Sequence, residues 1–418
     1  MSCVADYSVP VVILRTAHHG GLGLARTLGR LGVPVYCVDA VRCEPAFASR
    51  YCRGRFLLDI AGEPPGLAVS QLRAIARKLG GRPILIPTAD DVCTWVAQNA
   101  GALRASYRFP AQDPALVHAL CDKDRMQELA RKNGVPTAQW MAPRSKQDVA
   151  RFIDQAVFPV MVKETSGGRL RCRAGGTKFL VRTPRELTEF YAKAGDPEHP
   201  NLIIQEFIPG EDWMFNGYFD DRARCLFGMT GKKIRRFPVN TGITSLGICV
   251  PNETVIRTTT DFMRAIGYRG ILDIGYRRDE RDGRYKVLDV NPRIGCTFRL
   301  FAAADGLDVA RALYLDITGQ SVPHAEFAKG RKWLVEDFDL FSAFLSWRKG
   351  DLSLQDWIRS LAGVQELACF ALDDPLPFLM MALADWRELY RWIRVQAAVR
   401  HRPPPVADLV EFTAERRT

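Results

Sequence analysis

The eleven cysteines include no Cys-x-x-Cys pair, and the six histidines have no zinc-site spacing. An odd number of scattered thiols excludes a disulfide scaffold and predicts reduced cysteines in a cytoplasmic setting. The first residues carry no charged leader followed by an apolar signal core, so no export signal is expected. No uninterrupted apolar run is long enough to span a bilayer; the stretch at 375–386 is too short. The phosphate loop Gly-x-x-x-x-Gly-Lys-Ser/Thr is missing, as is any Ser/His/Asp or Cys/His arrangement for nucleophilic catalysis. There is no internal repeat. The net charge of +11, with a pI near 9.2, is spread over 418 residues. Without a clustered basic module it does not predict a nucleic-acid partner, but it suits a small anionic ligand such as a nucleotide.

What is present is an ordinary globular composition, 47% hydrophobic and 25% charged. The length suits roughly two to four domains. Apolar runs at 11–16, 34–40 and 82–91 alternate with a glycine turn leading into a helix and with a second amphipathic helix. That alternation predicts a doubly wound parallel sheet. Residues 113–136 read as one helix stopped at Gly134-Val135-Pro136. A strand at 157–164 leads into a basic glycine loop at 165–178, then a short strand, a helix and a strand at 201–207. Strands within 213–291 read as an antiparallel meander with a hairpin turn near Asp282-Gly283. A helix at 306–319 closes this unit. From about 325 the chain reads as aromatic-rich amphipathic helices.

Chemistry is suggested by the strand ending Leu288-Asp289-Val290-Asn291-Pro292-Arg293 and by Asp273 on the strand before it. Adjacent antiparallel strands lie about 4.8 Å apart, so carboxylates on one face converge. Asp273, Asp289 and Asn291 are hard oxygen donors suited to magnesium on nucleotide phosphates. Arg293 can clamp a phosphate or carboxylate. A salt-bridged strand end with an Asn-Pro turn is the alternative. Lys163 closes an apolar strand directly before the glycine loop Ser166-Gly167-Gly168, whose amides can fold over phosphates. A snorkelling lysine with a solvated basic loop is the alternative there. Gln205 and Glu211 flank a strand-to-turn segment able to pair with a purine edge and to accept from ribose, or else form a plain strand and turn. Lys123, taken alone, reads as a surface lysine. The basic cluster at 231–236, with Lys232, Lys233, Arg235 and Arg236, holds a phosphate or an acidic substrate or is solvated. His18–Gly21 and the Thr241-Gly242 turn are further substrate candidates. Gly21 and Gly23, with Asp39 ending the second strand, resemble a weak dinucleotide fingerprint whose third glycine is replaced by Arg26.

The order of these pieces resembles the ATP-grasp superfamily of carboxylate–amine ligases. The carriers are Pro159-Val-Met-Val-Lys-Glu164, Gln205-Glu-Phe-Ile-Pro-Gly-Glu-Asp212 and Asp289-Val-Asn-Pro-Arg293. The likeness runs from about 113 to 319, and the alternating segment before it resembles the domain that usually precedes this fold. The resemblance implies a two-subdomain α+β fold with ATP between the subdomains. Lys123 and Lys163 would contact phosphates under the loop at 166–177. Gln205, the backbone of Glu206 and Ile208, and Glu211 would hold adenine and ribose. Asp273, Asp289 and Asn291 would hold Mg2+ (or Mn2+), and Arg293 the transferring phosphate. The family usually carries glutamate where this chain has Asp289, and its loop is less basic than one holding Arg169, Arg171 and Arg173.

The expected layout is an α/β domain at 1–112, an ATP-grasp domain at 113–325 with a lid at about 140–205, and a helical extension at 326–418. The expected reaction is ATP-dependent activation of a small carboxylate as an acylphosphate for attack by an amine. The C-terminal helices leave a homo-oligomer open. The competing readings are an ATP-binding kinase or regulator of the same fold, and a nicotinamide-dependent oxidoreductase using Gly21, Gly23 and Asp39.

Overall fold

The computed structural model describes residues 6–16, 19–165, 169–174, 176–239 and 242–383. The first sheet is parallel, in the order β3–β2–β1–β4, built from β1 (Val11–Leu14), β2 (Val35–Asp39), β3 (Cys52–Leu57) and β4 (Ile84–Pro87). β1 is Val-Val-Ile-Leu and wholly buried, as expected of a parallel strand covered on both faces. Its residues alternate between two cores. Val11 and Ile13 join a core shared with the large sheet. Val12 and Leu14 pack with the helix Pro65–Leu79 and with Val92 and Trp95.

The second sheet is antiparallel, in the order β5–β8–β6–β7, from β5 (Trp140–Met141), β6 (Val160–Glu164), β7 (Lys178–Val181) and β8 (Leu202–Glu206). With the helices Lys146–Ile153 and Pro184–Ala194 it encloses its own core around Val160, Val162, Leu187 and Ile204.

The third sheet has seven strands, in the order β13–β12–β9–β10–β11–β14–β15. They are β9 (Gly210–Phe219), β10 (Cys225–Phe237), β11 (Ile243–Cys249), β12 (Gly270–Asp279), β13 (Tyr285–Asn291), β14 (Lys332–Leu334) and β15 (Val364–Leu367). Both faces are covered. Met214 and Tyr218 of β9 join the core shared with the first sheet, while Trp213, Phe215 and Phe219 pack into a core with the helices Lys123–Lys132 and Glu253–Ala265.

Several expectations are corrected. The chain after 325 is not all helix: Lys332–Leu334 pairs with β11, and Val364–Leu367 extends the sheet in parallel beside it. The buried ring of Trp333, 1% exposed, explains this, because it belongs to the shared core. Residues beyond 383 lie outside the described ones. The segment 113–136 forms two helices, Pro114–Cys121 and Lys123–Lys132, because the Asp122 side chain caps the second by accepting from Arg125 N at 3.0 Å. The glycines of 20–23 lie inside the helix His19–Gly29 rather than in a turn before it. A Cβ on Gly21 would sit 2.8 Å from Thr16 Cα, so this glycine permits close packing of helix on strand. Part of the glycine loop is also helical, over Arg169–Ala174.

The arginine that breaks the dinucleotide fingerprint has a structural role. Arg26, 4% exposed, donates to Asp374 Oδ2 at 3.0 Å and to the carbonyls of Cys369 and Asp374. Asp374, 1% exposed, also accepts from Ser49 Oγ and Arg50 N. This cluster ties the first sheet to the chain after β15. Removing one partner of such a buried pair costs about 3–5 kcal/mol. Asp374→Ala should therefore lower unfolding free energy by about that amount in denaturant titrations; a loss under about 1 kcal/mol, the level of an exposed pair, would contradict the assignment.

Candidate active site

A polar cleft of about 750 Å³ is lined by Lys163, Lys178 and Gln205 of the four-stranded sheet, by Lys233 and Asp289 of the seven-stranded sheet, and by Lys123. A second cavity of about 590 Å³ has mostly apolar walls, with Arg293 on one of them. The ionisable groups converge in the first, and the site is placed there.

The register of β6 explains its charge. Lys163 lies directly opposite Lys178 on β7. Like charges facing each other across a strand pair repel. Met161 lies opposite Gln205 on β8, which puts Lys163 diagonal to Gln205, and the Lys163 ammonium donates to Gln205 Oε1. Burial, reinforced by Lys178, pulls the Lys163 ammonium down to about 7. Crowding by protein lowers Lys178 too, opposed by Asp289 and reinforced by Lys123 and Lys233. Gln205 is 1% exposed, and its Nε2 has no hydrogen-bond partner among the described residues.

The facing wall carries the acids. Asn291 of β13 lies opposite Asp273 of β12, and Asp289 lies opposite Gly275, so all three polar residues share one face. The expected pairing of Asp273 with Asp289 is therefore diagonal rather than direct. Gly275 leaves open space beside Asp289, and the register shifts next to it, between Gly275 and Tyr276. Asn291 Nδ2 donates to Asp273 Oδ2 at 3.2 Å. Lys123, the first residue of its helix, pairs with Asp289. Burial opposes ionisation of Asp289, but Lys123, Lys178 and Lys163 outweigh it and hold the carboxyl well below the usual range. Burial raises Asp273, with Arg293 opposing and Asp289 adding. Arg293 donates to Asp90 Oδ1 at 2.6 Å, to Ile294 O at 3.0 Å and to Asn291 Oδ1 at 3.4 Å, which joins the acid set to the first sheet's unit. Among the described residues no three His, Cys, Asp or Glu side chains form a metal group. The hard donors are two carboxylates and an amide, and magnesium is commonly held by one or two carboxylates plus substrate phosphates. Lys123 engages one carboxylate oxygen of Asp289, Oδ1.

The cleft thus brings together Lys123, Lys163, Gln205, Glu206, Ile208, Arg236 and Asp289, with Asp273, Asn291 and Arg293 joined on at the strand ends. Three expected members are not brought in. Glu211 is half exposed and binds Lys232 through both oxygens at 2.8 Å, while its neighbour Asp212 lines the cleft. Arg235 is locked on Asp339 by two bonds of 2.8 Å, because a register shift in β10 beside it turns it away from the cleft. Gly21 serves packing. Ser166, Gly167, Gly168, His18 and Thr241 lie outside the described residues. Asp39 is 2% exposed and accepts from both the amide and the hydroxyl of Thr16, so it is not offered to a ribose. Arg236 pairs with Asp212 at 2.7 Å. Sequence reasoning missed Lys178 and Asp212, whereas Lys233 belongs to the basic cluster at 231–236. It also missed Asn216, which lies opposite Asp273, is fully buried, and has neither amide atom bonded. Only the pairing register reveals Lys178 and Asn216.

No family model matches the chain. It is 25% identical over 240 residues to the D-aspartate ligase of Enterococcus faecium, covering 54% of this chain and 57% of that protein. It is 23% identical over 252 residues to the C-terminal section of the carbamoyl phosphate synthase large chain of Methanopyrus kandleri, covering 58% and 45%. The chain spans about half the length of these curated relatives. Among solved structures, the L-amino acid ligase from Bacillus licheniformis gives a TM-score of 0.59 at 15% identity, over 78% of this chain and 79% of that one. The N5-carboxyaminoimidazole synthetase from Staphylococcus aureus complexed with ADP gives 0.59 at 14% identity, over 76% and 79%. These similarities are to ATP-grasp carboxylate–amine ligases, and the resemblance carried by the motifs extends to the fold. No described helix is long and apolar enough to cross a membrane.

Lys163 makes the site's electrostatics measurable. Its pKa near 7 in the folded chain lies below the ordinary 10.5. Between those values the unfolded chain binds the extra proton, so this residue's contribution to stability rises with pH. The stability of wild type relative to Lys163→Met should increase from pH 7 towards pH 10 in paired melts; a flat difference would contradict the buried, lysine-opposed placement.

Proposed function

We propose that the chain is an ATP- and magnesium-dependent ligase that activates a small carboxylate as an acylphosphate for attack by an amine. The observation carrying this reading is the pair Lys163 and Lys178, set face to face beside the orphaned Nε2 of buried Gln205. A buried ammonium opposed by a second cation needs an anion, and unbonded buried polar atoms need a partner. A nucleotide answers both. The free atom of Gln205 is a donor, because Oε1 already accepts from Lys163. It therefore suits an acceptor on the nucleotide rather than an exocyclic amine.

In this reading residues 1–112 form a doubly wound domain, 113–325 the ATP-grasp domain and 140–205 its lid. The strands at 332–334 and 364–367 add the start of the C-terminal segment to the ATP-grasp sheet. A cytoplasmic setting, from the scattered thiols, belongs to the same reading. Lys163 and Lys178 hold phosphate charge from the lid side, while Lys123 and Lys233 hold it from below. Asp273, Asp289 and Asn291 are the residues that would hold magnesium, which supplies charge neutralisation on the phosphates. Arg293, fixed by Asp90, faces the charge that develops on the transferring group. A carboxylate oxygen of the substrate attacks the γ-phosphorus, and the bond to the leaving ADP oxygen breaks. The amine then bonds to the acyl carbon, phosphate leaves with the electron pair, and the amine proton passes to solvent. These side chains position and neutralise, which is most of what phosphoryl transfer demands.

The nicotinamide alternative has no support, since Asp39 is spent on Thr16. In a screen of amino acids and small dicarboxylates with amines, ADP and phosphate should appear only when both an acid and an amine are present. Asp289→Asn should fold normally and lose roughly a hundredfold or more of this activity. AMP and pyrophosphate as products, or full activity in Asp289→Asn, would contradict the proposal.

A further inference from the structure

The substrate class can be read from the first sheet, on the footing of the ligase proposal above. In the order β3–β2–β1–β4, the chain runs outward from β1 to one side and then crosses over to β4 on the other. Open parallel sheets bind ligands at such a reversal, outside the carboxyl ends of the strands. Here those ends supply Arg15 and Thr16 after β1, and Thr88, Asp90 and Asp91 after β4.

Asp90 and Asp91 open the helix Asp90–Gln98, and each holds a guanidinium. Asp90 accepts from Arg293 Nε at 2.6 Å. Asp91 accepts from Arg15 Nη2 at 2.5 Å. Adjacent Cα atoms lie about 3.8 Å apart, so the two guanidiniums are anchored one residue apart at the end of the acid set. A second contact brings the same strand end there. A Cβ on Gly20 would lie 3.3 Å from Gly295 O, and one on Gly295 would lie 2.5 Å from the Asp273 carboxylate. The helix after β1 therefore presses on the turn that backs Asp273.

Arg15 is unusual in its backbone. Its φ is +66°, a left-handed conformation that disfavours side chains other than glycine, asparagine and aspartate. Its amide donates to Val38 O at 2.9 Å and its carbonyl accepts from Thr88 Oγ1, and both bonds would survive in glycine. The side chain is 31% exposed and pairs with an Asp91 that is 42% exposed. Such a pair contributes about 0–1 kcal/mol, too little to select arginine at a strained position for stability. Its Nε and Nη1 have no hydrogen-bond partner among the described residues. A guanidinium has donors enough to keep Asp91 and still grip a second carboxylate.

We propose that Arg15 is a specificity residue that holds a second carboxylate of the acid substrate, so that the enzyme takes short dicarboxylic acids, amino dicarboxylic acids included. The carboxylate to be phosphorylated lies beside Arg293, and the other lies on Arg15. Arg15 touches no reacting atom.

The test measures ADP release with hydroxylamine as nucleophile, pairing D- and L-aspartate and succinate with alanine and butyrate. Wild type should favour the dicarboxylate of each pair by at least tenfold in kcat/KM. Arg15→Gly should lose that preference mainly through KM, keep the dissociation constant for MgADP, and melt at or above the wild-type temperature, since glycine relieves the backbone. Arg15→Lys should restore part of the preference. A wild type that favours the monocarboxylates, or an Arg15→Gly variant that keeps the dicarboxylate preference, would overturn the role of Arg15 while leaving the ligase reading in place. Absence of ADP release with every acid, in a protein that binds MgADP, would overturn the ligase reading beneath it.

Discussion

Two lysines face each other across β6 and β7, and much of the site follows from that opposition. A strand pair that sets Lys163 against Lys178 is unstable in itself. It is tolerated here because Asp289 supplies compensating charge from the opposite wall and Gln205 Oε1 accepts a hydrogen bond from Lys163. The four-stranded sheet that carries the lysines has a core separate from the others. In the proposed reading, that separate core suits a lid that closes over the acid wall.

The acid wall is held more firmly. The seven-stranded sheet is packed on both faces, and one of its cores is continuous with the first sheet. Ionic ties cross between these units. Arg293 reaches Asp90 from the end of β13, and Arg26 reaches Asp374 from the first helix. Burial opposes the charge of Arg293, but Asp90 and Asp273 outweigh it and keep the guanidinium protonated. The residue assigned to the transferring phosphate is thereby fixed by the domain assigned to the substrate.

Much of this was legible in the sequence. The strands β1, β2 and β4 show as apolar runs, and Asp289, Asn291 and Arg293 show as polarity where an apolar strand ends. Lys163 and Gln205 show in the same way. The misses have physical causes. β3 alternates half-buried and exposed residues and includes Arg53, Gly54 and Arg55, so hydrophobicity does not reveal it. β14 is three residues long and is recruited by the burial of Trp333. Glu211 and Asp212 are neighbours, and only strand direction decides which faces the cleft. Arg235 and Arg236 are separated by a register shift that periodicity cannot show. Lys178 and Asn216 owe their significance to partners on other strands, which no local pattern carries.

The central claim is that these groups assemble to pass the γ-phosphoryl group of ATP to a carboxylate oxygen. The direct measurement uses an acid that elicits ADP release, labelled with 18O in its carboxylate. The account predicts that one labelled oxygen appears in the inorganic phosphate at each turnover. Unlabelled phosphate, or label recovered in AMP, would contradict it.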